Sequence, residues 1–233
     1  NADTIDGGTH GSLATSGDLL TATITSLTAT TGALSIANVE TIDLTNNGTA
    51  VVNAAGITGT TTINLFASSD TTTISGLSTT ATIGLGKTAS ADQVLGTVTL
   101  SLADETGTSD ALTINVNEAT SATLKATAIE TVNLVLSTTD SDIAESTLAV
   151  TALNAGTLTV TGADADVGHT LGLGTLDTST TTLDSSGYKG ILTAVAGTAI
   201  ATTFNLAGTT INDVTGSTGT DTFTVAKTSV DQN

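Results

Sequence analysis

Polar and apolar positions alternate along this chain in short runs, not in helical stripes. One unit recurs: Thr, an apolar residue, any residue, an apolar residue. It stands at Thr41-Ile42-Asp43-Leu44, Thr62-Ile63-Asn64-Leu65, Thr82-Ile83-Gly84-Leu85, Thr97-Val98-Thr99-Leu100 and Thr113-Ile114-Asn115-Val116. It continues at Thr131-Val132-Asn133-Leu134, Thr147-Leu148-Ala149-Val150, Thr157-Leu158-Thr159-Val160 and Thr203-Phe204-Asn205-Leu206. A period of two sends successive side chains to opposite faces of a strand. Gly, Ser, Asn and Asp fill the intervals, which is turn chemistry. The first seven copies lie 21, 20, 15, 16, 18 and 16 residues apart. That spacing predicts an all-β fold, a parallel β-solenoid with rungs of 15–21 residues, in which each rung buries its apolar positions by stacking on its neighbours. About a dozen rungs at ~4.8 Å each make a rod on the order of 55 Å long. An antiparallel β-sandwich of short strands is the alternative. No window sustains a 3.6-residue period, and Thr and Gly are poor helix formers.

A longer duplication overlies the short unit. Ala37-Asn38-Val39-Glu40-Thr41-Ile42-Asp43-Leu44 matches Thr127-Ala128-Ile129-Glu130-Thr131-Val132-Asn133-Leu134 at an offset of 90 residues, with a Glu directly before each strand. Two related β-rich halves, 1–120 and 121–233, are expected, or one continuous solenoid, since neither Pro nor a charge run marks a linker.

Composition narrows the picture. Of 233 residues 57 are Thr, and three Phe and one Tyr are the aromatic residues, so the core must be narrow and built from Val, Ile, Leu and Ala. The β-branched richness separates the chain from acidic disordered sequences. Four Lys, no Arg and 22 acids give a formal charge of −18. Nucleic acid is therefore excluded as a partner, because phosphate neutralisation needs clustered basic residues, and an anionic membrane surface is disfavoured for the same reason. The longest apolar-looking run, Ile191 to Ala201, is 11 residues and interrupted by Thr and Gly, too short to insert through a bilayer. Without Cys there are neither disulfides nor thiolate–metal sites. The chain opens Asn1-Ala2-Asp3 with no signal-peptide pattern, as expected of a piece released from a longer precursor or exported by another route.

The Φ-E-T-Φ-[DN]-L units, Val39 to Leu44 and Ile129 to Leu134, resemble those of bacterial surface-layer (S-layer) proteins with calcium-binding nonapeptide (RTX) repeats. So do Leu158-Thr159-Val160-Thr161-Gly162, Leu176-Asp177 and Leu183-Asp184-Ser185-Ser186. The ends look like degenerate nonapeptides: Gly216-Ser217-Thr218-Gly219-Thr220-Asp221-Thr222-Phe223-Thr224, with Ser in place of the second Gly, and Asn1-Ala2-Asp3-Thr4-Ile5-Asp6-Gly7-Gly8. The resemblance implies a calcium-stabilised β-solenoid on the cell exterior that self-assembles into a lattice, with cell-surface polysaccharide bound through some other part. It also implies calcium ligation by Asp3, Asp6 and Asp221. An uninterrupted nonapeptide run is absent, so scattered calcium sites are expected rather than a full calcium β-roll.

Calcium takes six to eight oxygens, which Asp side chains and turn carbonyls supply. Local density adds two Asp-x-Asp pairs, Asp140 with Asp142 and Asp164 with Asp166, and more weakly the loop of Asp104, Glu105 and Asp110. The alternative for all of them is turn capping or solubilising charge. Catalysis has little to work with. His10 and His169 are the two imidazoles, both expected in surface loops; no Gly-x-Ser-x-Gly elbow occurs, and a sugar-cleaving site would want aromatic platforms. Thr-x-Thr runs such as Thr157/Thr159/Thr161 and Thr220/Thr222/Thr224 are those of ice-ordering ladders, but their spacing is irregular. Asn47-Gly48-Thr49 matches a glycosylation sequon. The expectation is a non-enzymatic structural module of an extracellular array, or else a stalk or binding module of an RTX-type adhesin.

Overall fold

The computed structural model describes residues 4–8, 17–24, 35–66, 68–86, 93–117, 119–136, 145–150, 153–162, 169–198, 200–208 and 212–226. Among them, twenty-one strands form three sheets, and every pairing is parallel. The long sheet has ten strands in chain order: Leu19–Ile24, Thr41–Asn46, Thr62–Phe66, Thr82–Leu85, Ala111–Val116, Thr131–Leu136, Thr157–Gly162, Thr182–Tyr188, Thr203–Leu206 and Thr222–Val225. The second sheet has eight: Ala50–Asn53, Thr72–Leu77, Gln93–Leu102, Ala119–Thr127, Glu145–Leu148, Thr170–Thr175, Ile191–Val195 and Asn212–Thr215. A short third sheet, Thr4–Asp6, Ser35–Ala37 and Ile57–Thr58, adds a face to the first coils. The chain steps from sheet to sheet and returns one rung further on. This is a parallel β-solenoid, and the antiparallel sandwich is ruled out.

The recurring unit marks strands on both principal faces, since the copies at Thr97 and Thr147 fall in the second sheet. A full coil therefore takes roughly 20 to 30 residues, within the size that solenoids stack. The long sheet has ten rungs where about a dozen were expected. Apart from the 3₁₀ turn Ala54–Gly56, no helix occurs among the described residues.

Alternation becomes burial. Ala111–Val116 and Thr131–Leu136 alternate half-buried and buried residues without a break. Because the register is parallel, equivalent residues stack: Ile42, Ile63, Ile83 and Ile114 form one inner column, and Leu44, Leu65, Leu85 and Val116 the next. These residues belong to one continuous apolar core, in which Tyr188 and Phe204 are the largest fully buried side chains. Each fully buried Leu or Ile contributes about 1.5–3 kcal/mol. At the last rung Phe223 stacks on Phe204 with ring centroids 4.8 Å apart and planes 9° from parallel, the spacing of the rungs themselves.

The outer face of the long sheet carries Thr41, Thr62, Thr82 and Thr113 in one column. Thr113 then pairs with Asn133, while Ala111 pairs with Thr131. The Thr column resumes two residues earlier along the strand, as Thr131, Thr157, Thr182, Thr203 and Thr222. Like charges directly opposite each other destabilise a sheet. Here Asp43 faces Asn64, whose Nδ2 donates to Asp43 Oδ1 at 2.8 Å, and Asp184 faces Asn205.

Candidate functional site

The acids that recur in the sequence converge on one structural element, the corner through which each coil enters the long sheet. Asn38, Ala128 and Asn154 each stand three residues before a strand of that sheet and adopt positive φ, at 56°, 52° and 50°. The left-handed residue lies in the turn between one sheet and the next. The next residue (Val39, Ile129 or Ala155) then points into the core. The residue after that stands at the mouth of the strand.

In two of these corners that last residue is Glu. Glu40 Oε2 accepts the backbone N–H of Asp18 at 2.7 Å, and Glu130 Oε2 accepts that of Asp110 at 2.8 Å. Asp18 and Asp110 hold the same position one coil earlier, each directly before its own strand. Asp221 repeats the arrangement: it precedes Thr222–Val225, and its Oδ1 accepts the N–H of Thr202 at 3.0 Å, directly before Thr203–Leu206. Its Oδ2 accepts the N–H of Ser217 at 2.6 Å. Gly156 stands in the acid's place in the third corner; its carbonyl accepts from the N–H groups of Thr181 and Thr182, as that of Glu40 does from Thr61 and Thr62. The corner acid thus ties the amide of one coil to the carboxylate of the next. Such charge-assisted bonds are the stronger class.

Asp6 ends the Thr4–Asp6 strand on the third face. Its Oδ1 accepts from Gly8 N and from Asn38 Nδ2, both at 2.9 Å. The bond from Asn38 first, and that from Gly8 second, hold its carboxyl below the usual range. Asp104, Asp177 and Asp184 make a local version of the same bond: each Oδ1 accepts both the N–H and the hydroxyl of the residue two ahead, Thr106, Ser179 and Ser186. For Asp104 these bonds, the hydroxyl's being the larger cause, lower the pKa.

Of the residues assigned to calcium from sequence, Asp6 and Asp221 are therefore turn and corner acceptors, more than 200 positions apart in the chain. Asp3, Asp140, Asp142, Asp164 and Asp166 lie outside the described residues. Among the described residues no three of His, Cys, Asp and Glu group as a metal site. The oxygens of Asp6 Oδ1 and of both arms of Asp221 face N–H donors. That donor set fits the anchoring of amides better than a cage of six or more oxygens.

His169 departs from the surface position expected of it. It is 2% exposed, its Nε2 is buried with no hydrogen-bond partner, and its carbonyl accepts from Tyr188 Oη at 3.2 Å and Ile191 N at 2.6 Å. Burial pushes the Tyr188 pKa up. His10 lies outside the described residues. A depression of about 280 Å³ on the long sheet is lined by Leu19, Thr41, Asp43, Asn64, Phe66, Gly86 and Asn117; it falls at the lower limit of small-molecule sites.

The duplication in the sequence marks Glu40 and Glu130 as a repeated pair, and Asp221 belongs with them. The signal was present: all three are acids directly before a Thr-apolar-x-apolar strand.

Fold and corners together define a parallel β-solenoid whose recurrent acids clamp successive coils. No family model, curated protein or solved structure matches the chain. No helix among the described residues is long and apolar enough to cross a membrane.

Proposed function

We propose that the chain is a structural module of a self-assembling extracellular array of the bacterial surface-layer type. The observation that carries this reading is the ten-rung parallel sheet. It makes a rod of about 45 Å at the usual rung spacing, with an outer face of half-buried Thr and Asx side chains in columns. A rod with in-register ladders along its length suits lateral contact with further copies of itself. The formal charge of −18 opposes that contact; calcium, bound at the Asp140/Asp142 and Asp164/Asp166 pairs, would supply the neutralising charge.

A second reading is a stalk of an RTX-type adhesin. In-line stacking of coils favours it, since such stacking extends a chain along its own axis.

Negative-stain microscopy and light scattering of the purified chain, with millimolar calcium and with chelator, test both readings. Ordered sheets or filaments in calcium alone support the array. A monomer in both conditions refutes it and leaves the stalk. The same assembly in chelator as in calcium removes calcium from the account.

A further inference from the structure

Asn47-Gly48, the sole Asn-Gly pair in the sequence, lies in the corner between the Thr41–Asn46 and Ala50–Asn53 strands. We infer that it is a site of spontaneous covalent modification, at which the chain converts Asn47 to an aspartyl or isoaspartyl residue with water as the only co-reactant.

In the reaction the backbone nitrogen of Gly48 attacks Cγ of Asn47. A bond forms between that nitrogen and Cγ, the Cγ–Nδ2 bond breaks, and the amide nitrogen leaves as ammonia, taking the proton lost from the Gly48 nitrogen. Water then opens the five-membered imide at either carbonyl. Opening at one returns a normal peptide bond with an aspartate side chain. Opening at the other routes the main chain through the former side chain and lengthens it by one methylene. No electron acceptor or donor is involved.

Three observations single out this residue. Asn47 is exposed. Its successor has no Cβ to hinder the approach of nitrogen to Cγ, as the side chains following other asparagines do. Other asparagines are held by bonds of their own: buried Asn46 donates to Thr71 O and Thr72 Oγ1, Asn64 donates to Asp43, and Asn38 donates to Asp6.

The fold restrains the reaction through one contact. Gly48 N–H donates to Asn46 Oδ1 at 3.1 Å, and that bond must open before the nitrogen can attack. Asn47 N–H is held by Ile24 O at 2.8 Å, so the flanking backbone stays in place. The product matters because this corner binds three coils. Asn46 reaches forward to Ser68, Thr71 and Thr72, Ala50 N donates to Thr71 O, and Asn47 reaches back to Ile24. An added methylene between Asn46 and Ala50 disturbs these bonds, and the new carboxylate adds a negative charge to a chain already at −18.

The test ages the purified folded chain in mildly alkaline buffer and maps its peptides by mass spectrometry. An isoaspartyl methyltransferase assay is run on the same digests. The expected result is a time-dependent replacement of amide by acid in the peptide bearing Asn47, with isoaspartate present, and loss of that signal in Gly48→Ala. Ageing the chain in denaturant accelerates the gain, because the Gly48–Asn46 bond is gone there. A second variant, Asn47→Gln, retains the amide and loses the signal even if Gly48→Ala folds poorly. The inference is overturned if Asn47 keeps its amide while other asparagines lose theirs, or if Gly48→Ala ages at the wild-type rate.

Discussion

Replacing Asp221 by Ala separates the two roles open to that residue, corner clamp and calcium ligand. In the structure its carboxylate accepts two amide protons, from Thr202 at 3.0 Å and Ser217 at 2.6 Å, both in part-buried surroundings. A hydrogen bond to a charged group contributes about 1.5–3 kcal/mol, and a part-buried donor left unpaired costs about 1–3 kcal/mol. Water that reaches the half-exposed corner recovers some of this, which places the loss at about 3 kcal/mol. For a cooperative chain of this length that is a fall in Tm of roughly 6–12 °C, at about 2–4 °C per kcal/mol. Solenoids also open locally from a terminal coil, so amide exchange is the sharper assay. Thr202 and Ser217 should exchange faster in Asp221→Ala, while amides in the Thr131–Leu136 strand keep their protection. Asp221→Asn retains one acceptor for Thr202 but turns an N–H toward Ser217 when so placed, and it should fall between wild type and Ala. A clamp predicts the same loss in chelator and in millimolar calcium. Unchanged exchange at Thr202 and Ser217 in chelator, with a loss appearing in calcium, would refute the corner assignment and restore Asp221 as a ligand.

Ala128 adopts a φ of 52°, which costs an L-residue roughly 1–2 kcal/mol. Ala128→Gly should therefore raise stability by up to about 1 kcal/mol after the added chain entropy of Gly, read as a higher urea midpoint; a lower midpoint would contradict the strain. Asn64→Asp should place a carboxylate against Asp43 where a 2.8 Å hydrogen bond now stands. At an effective dielectric near 20 the repulsion is about 4 kcal/mol at close range, so the variant should be less stable at neutral pH and recover as acid protonates one member of the pair. An unfolding midpoint that ignores pH would reject this. The depressed pKa of Asp6 makes its contribution present above the unfolded carboxylate pKa and lost as pH falls through the lower folded value. NMR titration should show the Asp6 midpoint below the ordinary range and moving up toward it in Asn38→Ala, whereas an unmoved midpoint would remove Asn38 as the main cause.

The strands were legible because their cause is local. Thr131-Val132-Asn133-Leu134 needs only the period of two to declare one face in and one out, and the turn residues beside it to declare its ends. The parallel order followed from repetition, since a unit that recurs at short intervals and buries only half its surface must stack on its own copies. Which face each copy occupies was not legible. Thr97 and Thr113 carry the same pattern yet stand in different sheets, because the loop lengths between them, not the strands, set the turning of the coil. The corner acids were half legible: Glu40 and Glu130 advertised themselves by duplication, whereas Asp221, with a shorter side chain, had been absorbed into a nonapeptide pattern. Ser217 is a local partner, four residues back, but Thr202 stands one coil away, and no local pattern connects an acid with an amide at that distance. The burial of His169 was not legible either, since the residues that bond its carbonyl, Tyr188 and Ile191, stand in the following coil.

The passage from Thr113 to Asn133 amounts to a dislocation in an otherwise periodic surface. On the early side the threonine row runs through Thr41, Thr62, Thr82 and Thr113. On the later side it runs through Thr131, Thr157, Thr182, Thr203 and Thr222, displaced by two residues, or about 6.6 Å along the strands. A rigid crystalline plane, whether of ice or of a packed polymer, that matches one row in phase meets Asn, Asp and Thr side chains in the continuation of that row beyond the fault. Contact along the whole length is therefore open to a partner that carries a matching step.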